Sequence, residues 1–385
     1  MARSFIVGID LGSAVTKTVV LSAHNGESAE VLAAVSVPTK GVRHGYITNI
    51  PAAANSIRRS IQLAEQEAGI QIKRAYFSIG GISLSSETAQ GGAIISKSDG
   101  EVTAFDIKTA MQSAEETLGL KNKKIIFQTP VGWKVDGKEI LGKPDGMHGV
   151  KLEVKVFYVT CLSQHLDDLV SAAAEADIEV LDVVPSPIAA SHIALSERQK
   201  AVGVILVNIG AETVSIAIFE NNSLIGLSVL PIGSTDITND IALGFRIPLE
   251  EAESVKTGNI MSVNYPKRKV DEIVEARFSD IFELVDGYLK KIKRSGLLPA
   301  GVVITGGGSG NGLVEGLARN MLRLPSRIGS GDLLSHIKGP ARDATWFVSF
   351  GLCMIAREGN TDGRHSSSSN KAKGFLKEFL RQFLP

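Results

Sequence analysis

A short glycine turn near the N-terminus carries the groups that could bind a phosphate. Asp10 ends an apolar, β-branched run, Gly12 and Ser13 form the turn, and Thr16 and Lys17 begin the next run. Backbone N–H groups of such a turn can approach phosphate oxygens because no side chain blocks them, and a nearby carboxylate can hold a hydrated Mg²⁺. An ordinary β-turn uses the same small residues, so this turn alone leaves both interpretations open.

The same pattern returns in the second half of the chain. The segment 203–219, GVILVNIGAETVSIAIF, can be laid over the first hairpin so that Asn208 meets Asp10 and Gly210 meets Gly12. Two copies of one hairpin indicate a duplicated architecture. Together with the T-G-G-G-S-G loop at 305–310 and the stretch IGSTDITNDIA, the second copy favours a phosphate site over an ordinary turn.

Alternating strands and helices must position these turns. Apolar residues at helical spacing predict a helix over 50–68, and a short strand follows at 73–80. Further helices are predicted at 163–176, 187–195, 234–244, 249–256 and 270–294, and a strand, glycine loop and helix over 301–324. This alternation implies an α/β layered fold. Residues 82–161 break the rhythm with several strands around one helix at 104–118, which predicts a compact α+β module inserted in the first half.

Composition excludes several classes of protein. The chain has 385 residues, 44% of them hydrophobic, with 41 basic and 41 acidic side chains. Such a chain can bury a large core, and its neutrality argues against a protein that coats nucleic acid. Two cysteines are too few for a disulfide framework and indicate a reducing compartment such as the cytoplasm. The N-terminus is expected to be a strand and not a signal peptide, and the apolar stretch 346–356 is too short to cross a bilayer.

The C-terminal segment differs from the body. Residues 358–370 contain no apolar side chain, which predicts a flexible linker. In 371–385, one face of a predicted helix collects Phe375, Leu376, Phe379, Leu380, Phe383 and Leu384. The basic residues on the rest of that helix are Lys371, Lys373, Lys377 and Arg381. A helix packed on the body is the simpler alternative, but the polar tether and basic face favour a helix lying in a membrane surface.

Several motifs together resemble a known superfamily. The two hairpins, an A-E-x-x-K helix (Ala252, Glu253, Lys256) and the late T-G-G-G-S loop are similar to the nucleotide site of actin, Hsp70 and the sugar kinases. Within that superfamily the chain most resembles the FtsA family of bacterial cell division proteins, along essentially its whole length. The segment KPDGMHGVKLE and the tethered helix are the most specific features, because generic actin-like ATPases lack both.

This resemblance implies an actin-like fold of duplicated ribonuclease-H-like domains, with an inserted α+β subdomain and a C-terminal amphipathic helix. The implied parts are subdomain 1A at 1–81 and 162–200, subdomain 1C at 82–161, subdomain 2A at 201–240 and 297–357, subdomain 2B at 241–296, a linker at 358–370 and a membrane-targeting helix at 371–385.

The resemblance also assigns a site for ATP and Mg²⁺. The first phosphate loop would comprise Gly12, Ser13, Thr16 and Lys17, and the second Gly210, Ala211, Glu212 and Thr213. Gly233 and Ser234 would lie near the ribose or phosphates, Glu253 and Lys256 beside the nucleoside, and Gly306, Gly307 and Gly308 under the adenosine. Asp10 would organise Mg²⁺ through water. The lipid-facing helix would use Phe375, Leu376, Lys377, Phe379, Leu380, Arg381, Phe383 and Leu384.

The second phosphate loop departs from the family pattern D-I-G-G-G-T-x-D. Here Asn208 and Ser215 replace both acids, and Ala211 and Glu212 replace two glycines. Asn208 has no charge to balance Mg²⁺ or to polarise an attacking water, and the Glu212 carboxylate is expected close to the phosphates. Nucleotide binding would survive these changes better than hydrolysis, so at most weak ATPase activity is predicted. A vestigial site is the alternative.

The function implied is an ATP-binding protein that polymerises and anchors filaments of the tubulin-like FtsZ to the cytoplasmic face of the membrane at the division site. Its partners would be the FtsZ C-terminal tail, further copies of itself, anionic lipid and possible other division proteins, with no nucleic acid. Two rivals are an ATP-hydrolysing metabolite kinase of the same superfamily and a pilus-assembly actin-like binding module. A kinase needs a catalytic base, and the pilus group is expected to lack the tethered helix.

Overall fold

The computed structural model describes residues 5–22, 30–259, 265–331 and 343–361. The predicted amphipathic helix at 371–385, with its eight lipid-facing residues, and most of the predicted linker lie outside the described residues. Among the helices that are described, none is both long enough and apolar enough to cross a membrane.

The described part contains two five-stranded sheets, a four-stranded sheet and a small two-stranded one. The strands, in chain order, are β1 (Phe5–Leu11), β2 (Val15–Ser22), β3 (Val31–Pro38), β4 (Val42–Arg43), β5 (Tyr46–Ile47), β6 (Arg74–Ile79), β7 (Ser85–Ile94), β8 (Lys123–Val135), β9 (Lys138–Ile140), β10 (Lys151–Leu162), β11 (Glu179–Pro185), β12 (Val204–Ile209), β13 (Val214–Glu220), β14 (Ser223–Leu230), β15 (Val302–Thr305) and β16 (Ser326–Ile328). The helices are α1 (Ile50–Ala68), α2 (Ala104–Glu116), α3 (Ser163–Glu175), α4 (Ser186–Ala194), α5 (Glu197–Val202), α6 (Ser234–Phe245), α7 (Leu249–Lys256), α8 (Lys267–Lys291), α9 (Val314–Leu322) and α10 (Phe347–Thr361).

The two five-stranded sheets repeat one topology. Their orders are β3-β2-β1-β6-β11 and β14-β13-β12-β15-β16, so each has three antiparallel strands followed by two strands that run parallel to the central one. In the first hairpin Asp10 is opposite Lys17, and in the second Asn208 is opposite Ser215. This equivalence confirms the predicted duplication and the actin-like fold class.

Local sequence signals explain the boundaries of α1 and the start of α8. Helix α1 begins after Asn49, whose side chain accepts from the Ala52 N–H, and ends at Gly69 in the left-handed conformation. Helix α8 was predicted over 270–294, but it begins three residues earlier, directly after Pro266, and ends at Lys291. Proline fixes its own φ at a helical value and needs no N–H partner, so it favours a helix start at this point.

The beginning of the predicted linker needs correction. Helix α10 continues through residues 358–361, which composition alone assigned to a flexible segment. The Glu358 carboxylate lies 2.8 Å from Nε2 of His192 in α4, and this contact ties the end of α10 to its neighbour. A polar composition therefore did not prevent these residues from extending a well-packed helix.

The inserted module is a four-stranded antiparallel sheet of order β7-β10-β8-β9 with α2 on one face. Its own apolar cluster includes Trp133, Leu152, Val156 and Tyr158. Helix α2 begins with a capping box in which Asp106, fully buried, accepts hydrogen bonds from Thr103 and from the Ser96 N–H. Burial pushes the pKa of Asp106 upward, but these hydrogen bonds outweigh it and lower the pKa to about 2.

The Asp106→Asn variant is expected to unfold at a lower temperature than the parent at pH 7, because the amide cannot accept all the hydrogen bonds that the carboxylate accepts. The loss is about 1–3 kcal/mol. The native carboxylate stabilises the fold above its unfolded pKa of about 4, and this stabilisation fades as the pH falls toward 2. The difference between the proteins should therefore shrink at pH 3. Thermal unfolding followed by circular dichroism at both pH values tests this.

A matched control is Asp99→Asn, because Asp99 is exposed and accepts a hydrogen bond from the Glu101 N–H. Its effect should stay within about 0.5 kcal/mol. Equal destabilisation by both variants would contradict the assigned role of Asp106.

Candidate functional site

A cleft of about 1490 Å³ lies between the two duplicated halves. Both hairpin turns line it, together with the first residues of α6 and α8, the end of α7 and the glycine loop after β15. Its volume exceeds what a drug-sized ligand requires. The duplicated topology thus brings the two turns singled out in the sequence to the same cavity.

The first hairpin presents the carboxyl group of Asp10 and the amino group of Lys17 to the cleft. The Gly12 N–H donates to the Val15 carbonyl at 3.1 Å and closes the turn. Asp10 accepts a hydrogen bond of 2.6 Å from the Ser78 hydroxyl. Burial raises the pKa of Asp10, while the bond from Ser78 and the charge of Lys17 oppose that shift. Ser13 lies in the turn itself and lines the cleft.

Lys17 is buried at the floor of the cleft. Its Nζ donates to the Thr345 carbonyl at 2.6 Å and lies 4.8 Å from the centroid of the Trp346 ring. Burial lowers the pKa of Lys17, and the charges of Asp10 and Asp343 oppose that shift. A cation with so little water around it interacts strongly with an incoming anion, because the local dielectric screening is weak.

Thr16, predicted in the first phosphate loop, does not line the cleft. It is fully buried, and its hydroxyl pairs with that of Thr39 at 2.7 Å. Side chains alternate between the two faces of a strand, so Thr16 and Lys17 cannot both face the same cavity. The structure therefore corrects this assignment and gives Thr16 a role in packing the first sheet.

The second hairpin turn repeats the geometry of the first. The Gly210 N–H donates to the Thr213 carbonyl at 2.8 Å, and Ala211 and Thr213 line the cleft. The N–H groups of Ser234 and Thr235 at the start of α6 donate to the carbonyls of Gly210 and Ala211. These two amides hold the loop in place and are not free to contact a ligand.

Gly233 allows this close packing but does not itself line the cleft. A Cβ at Gly233 would lie 2.3 Å from the Ala211 carbonyl oxygen, so only glycine fits. Gly233 was predicted near a ribose or phosphate, but in the structure it packs against the second turn. The neighbouring Ser234 does line the cavity.

The sequence predicted that the Glu212 carboxylate lies close to the phosphates. In the structure the carboxylate instead contacts Arg43 and His44. Oε1 of Glu212 lies 2.9 Å from Nε of Arg43, and Oε2 accepts the His44 N–H at 2.6 Å. Both oxygens are thus used by the opposite half of the molecule, and Glu212 is not among the residues that line the cleft. The carboxylate does not occlude the cavity.

A second acid and base lie on another wall of the cleft. Glu253 and Lys256 lie one turn apart on α7, and Nζ of Lys256 is 2.7 Å from Oε2 of Glu253. The Thr238 hydroxyl contacts both side chains. Burial would raise the pKa of Glu253, but the hydrogen bonds from Lys256 and Thr238 outweigh it and lower the pKa. Tyr265 and Val270 also line the cleft.

The glycine loop after β15 forms the remaining wall. Gly306 has φ 87° and ψ 177°, a conformation essentially restricted to glycine. Gly307 has open space where a Cβ would be, while Gly308 packs against Ile209. Within the described residues, the buried hydroxyl of Thr305 has no hydrogen-bond partner, and Thr305 lines the cleft beside Asn208.

These observations fit a bound nucleotide. A buried hydroxyl that has no partner among the described residues calls for one from a ligand or its water, and the open glycine backbone admits a flat group closely. Of the predicted nucleotide-binding residues, all but Thr16, Glu212 and Gly233 line the cleft. Sequence reasoning missed Thr305, Tyr265, Thr345 and Trp346. Thr305 alone carried a signal, since it begins the glycine loop.

Comparison with known proteins gives consistent matches. The family model for cell division protein FtsA matches residues 205–349, and the model for the SHS2 domain inserted in FtsA matches residues 81–160. The cell division protein FtsA of Pseudomonas aeruginosa is 30% identical over 98% of this chain and 97% of the relative.

Solved structures match the fold. A PilM–PilN type IV pilus biogenesis complex superposes with a TM-score of 0.70 at 16% identity, covering 92% of this chain and 99% of that one. MreB5 of Spiroplasma citri bound to ADP superposes with a TM-score of 0.54 at 13% identity, covering 94% and 99%. Both similarities concern the fold alone.

Proposed function

Since this chain belongs to the FtsA family of cell division proteins, we propose that it binds ATP with Mg²⁺, polymerises and anchors FtsZ filaments to the cytoplasmic face of the membrane at the division site. The observation that supports nucleotide binding is the cleft between the duplicated halves, with its two hairpin turns, buried Lys17 and a Thr305 hydroxyl that has no partner in the described part of the chain. The proposed role in cell division rests on membership of the FtsA family.

Named residues would hold the nucleotide. Lys17 would balance phosphate charge, and the turns at Gly12 and Gly210 would accept the phosphates along their backbones. Glu253 and Lys256 would face the nucleoside, and the loop at 306–308 would lie under the adenosine. Asp10 would hold Mg²⁺ through water, and the metal would supply charge neutralisation at the phosphates.

Hydrolysis has little support among these residues. Asn208 and Ser215 face each other where the family pattern has two acids, and neither can act as a base at neutral pH. The metabolite-kinase rival requires such a base beside a substrate, so binding with slow or absent turnover is the better proposal. Phosphate release that small hydroxyl-bearing metabolites stimulate would favour the kinase instead.

The anchoring part rests on sequence. Residues 371–385 combine an apolar stripe with basic residues, and residues 364–385 hold five basic side chains against one acid. This segment thus carries +4 while the rest of the chain carries −4, so the tail and not the body would seek an anionic bilayer. The same tail argues against the pilus-assembly rival. By resemblance to the family, the FtsZ tail would bind the region to which the helix predicted at 270–294 belongs.

Lys17→Met should weaken ATP binding about 10- to 100-fold, because a buried charge-assisted contact to phosphate is lost while the side-chain volume is kept. Titration with a fluorescent ATP analogue in the presence of Mg²⁺ measures this. Lys267→Met is the matched control, since Lys267 also lines the cleft but is exposed at the start of α8.

The control should change the affinity less than about threefold. If Lys17→Met folds and binds ATP as the parent does, the assignment of the phosphate site is overturned. Binding by neither the parent nor the control would remove the nucleotide part of the proposed function altogether.

A further inference from the structure

A hairpin turn with His44 and Gly45 at its centre joins β4 to β5 and contacts both phosphate loops and the base of the inserted module. We define this turn together with its two flanking residues as the linking turn, Arg43–Tyr46. His44 has φ 48° and Gly45 has φ 78°, which is the pattern of a tight type I′ hairpin turn. Such a turn has few alternative conformations, so it can transmit a displacement from one end to the other.

The linking turn contacts both phosphate loops. The Gly45 N–H donates to the Ser13 hydroxyl of the first loop at 3.1 Å. The His44 N–H donates to Oε2 of Glu212 in the second loop at 2.6 Å, and Arg43 pairs with Oε1 at 2.9 Å. Nδ1 of His44 also lies 3.1 Å from the Glu212 backbone carbonyl. Glu212 therefore connects the second half of the molecule to a turn of the first.

The opposite side of the linking turn holds the base of the inserted module. The Gly45 carbonyl accepts from Nε2 of His165 at 2.8 Å, which leaves Nδ1 of His165 to accept the Ser83 hydroxyl at 2.6 Å. Ser83 lies where the chain enters the module, and His165 follows the strand by which the chain leaves it. Burial lowers the pKa of His165, which favours this neutral form.

The contact between Gly45 and the module base is also tight at the backbone. A Cβ on Gly45 would lie 2.4 Å from the Cα of Gly81. A change in the position of the linking turn must therefore be followed by the chain segment at 81–83 or by His165.

We propose that Glu212 is a positioning residue that locks the second phosphate loop to the linking turn, so that closure of the cleft on a nucleoside triphosphate also fixes the base of the inserted module. This inference rests on the proposed ATP binding and adds its regulation. The ligand favours the closed arrangement because both loops contact its phosphates at once. Through the contacts of Glu212 with the linking turn, closure also stabilises the position of the inserted module. The glutamate that departs from the family pattern thereby gains a function.

The test compares Glu212→Gln with the parent chain by stopped-flow release of a fluorescent ATP analogue. Release should become about tenfold faster, because the amide keeps at most one of the two contacts and loses the charge opposite Arg43. Arg43→Ala is a second variant that removes only an exposed side chain, so it should fold normally and accelerate release in the same direction. Glu272→Gln is the matched control, because Glu272 forms a similar pair with Arg268 on the exposed side of α8.

Amide hydrogen exchange supplies a readout that a purely local effect would not change. In the parent, the ATP analogue should slow exchange at 43–46, at 81–85 and in the glycine loop at 305–310. In Glu212→Gln the glycine loop should still be protected on binding, while the protection at 43–46 and 81–85 is lost.

Unchanged release and unchanged protection in both variants would overturn the lock while leaving ATP binding intact. Slower exchange confined to the cleft in the parent would also overturn it. Failure of the parent to bind the analogue at all is a different result, which overturns the proposed function and with it the ligand that the lock requires.

Discussion

Gly306→Ala should reduce the affinity for ATP by at least about 100-fold. The added methyl group would lie 2.3 Å from Oδ1 of Asn208 and 2.5 Å from the carbonyl oxygen of Ile209. The backbone at φ 87° and ψ 177° is itself strained for any residue with a Cβ, at about 1–3 kcal/mol. Since the Ile209 carbonyl belongs to the central strand β12, the loop must move and with it the wall under the proposed adenosine.

The matched control is Gly310→Ala in the same loop, where a Cβ meets no atom within 4 Å. This variant should fold as the parent does and retain affinity within about threefold. Titration with the fluorescent ATP analogue gives both affinities, and thermal unfolding shows whether each protein is folded. A folded Gly306→Ala protein with parental affinity would contradict the proposed place of the glycine loop.

The fold could be predicted because its signals are local or repeated. The two hairpins share one pattern of apolar residues and small turns, and the overlay of Asp10 on Asn208 anticipated the equivalent strand pairs. Period-two alternation could also have excluded Thr16 from the cleft, because Asp10 and Lys17 face each other across the hairpin and so share one face.

Other features of the site depend on contacts between distant segments. The direction of the Glu212 side chain is set by Arg43 and by the His44 N–H, and no local pattern near Glu212 indicates either of them. The missing partner of the Thr305 hydroxyl, an absence seen among the described residues, likewise has no local sequence pattern that would predict it. Sequence spacing predicts which residues meet at a strand end but not which rotamer each adopts.

In the proposed function, ATP binding affects membrane binding because it promotes assembly into filaments. The proposed C-terminal helix, with six large apolar side chains, would bind the membrane reversibly, at about 1.5–3 kcal/mol for each side chain that is fully buried in lipid. In a filament, each further copy binds the surface at a high effective concentration. Variants that weaken ATP binding, such as Lys17→Met, are therefore expected to reduce membrane binding where assembly depends on ATP, although the tail is unchanged.

Replacing Phe379 and Phe383 together by glutamate should reduce the affinity for vesicles that contain anionic phosphatidylglycerol by at least about 100-fold. Co-sedimentation with the vesicles measures this affinity. Inserted in lipid, the two aromatic side chains would contribute about 3–6 kcal/mol, and each new carboxylate would also repel the anionic surface. FtsZ added with GTP should no longer be found on the vesicles. The double change to leucine is the matched control, because it keeps the apolar face and the charge. Parental sedimentation of the glutamate variant would show that the chain reaches lipid by another surface and would remove the tail from the anchoring proposal.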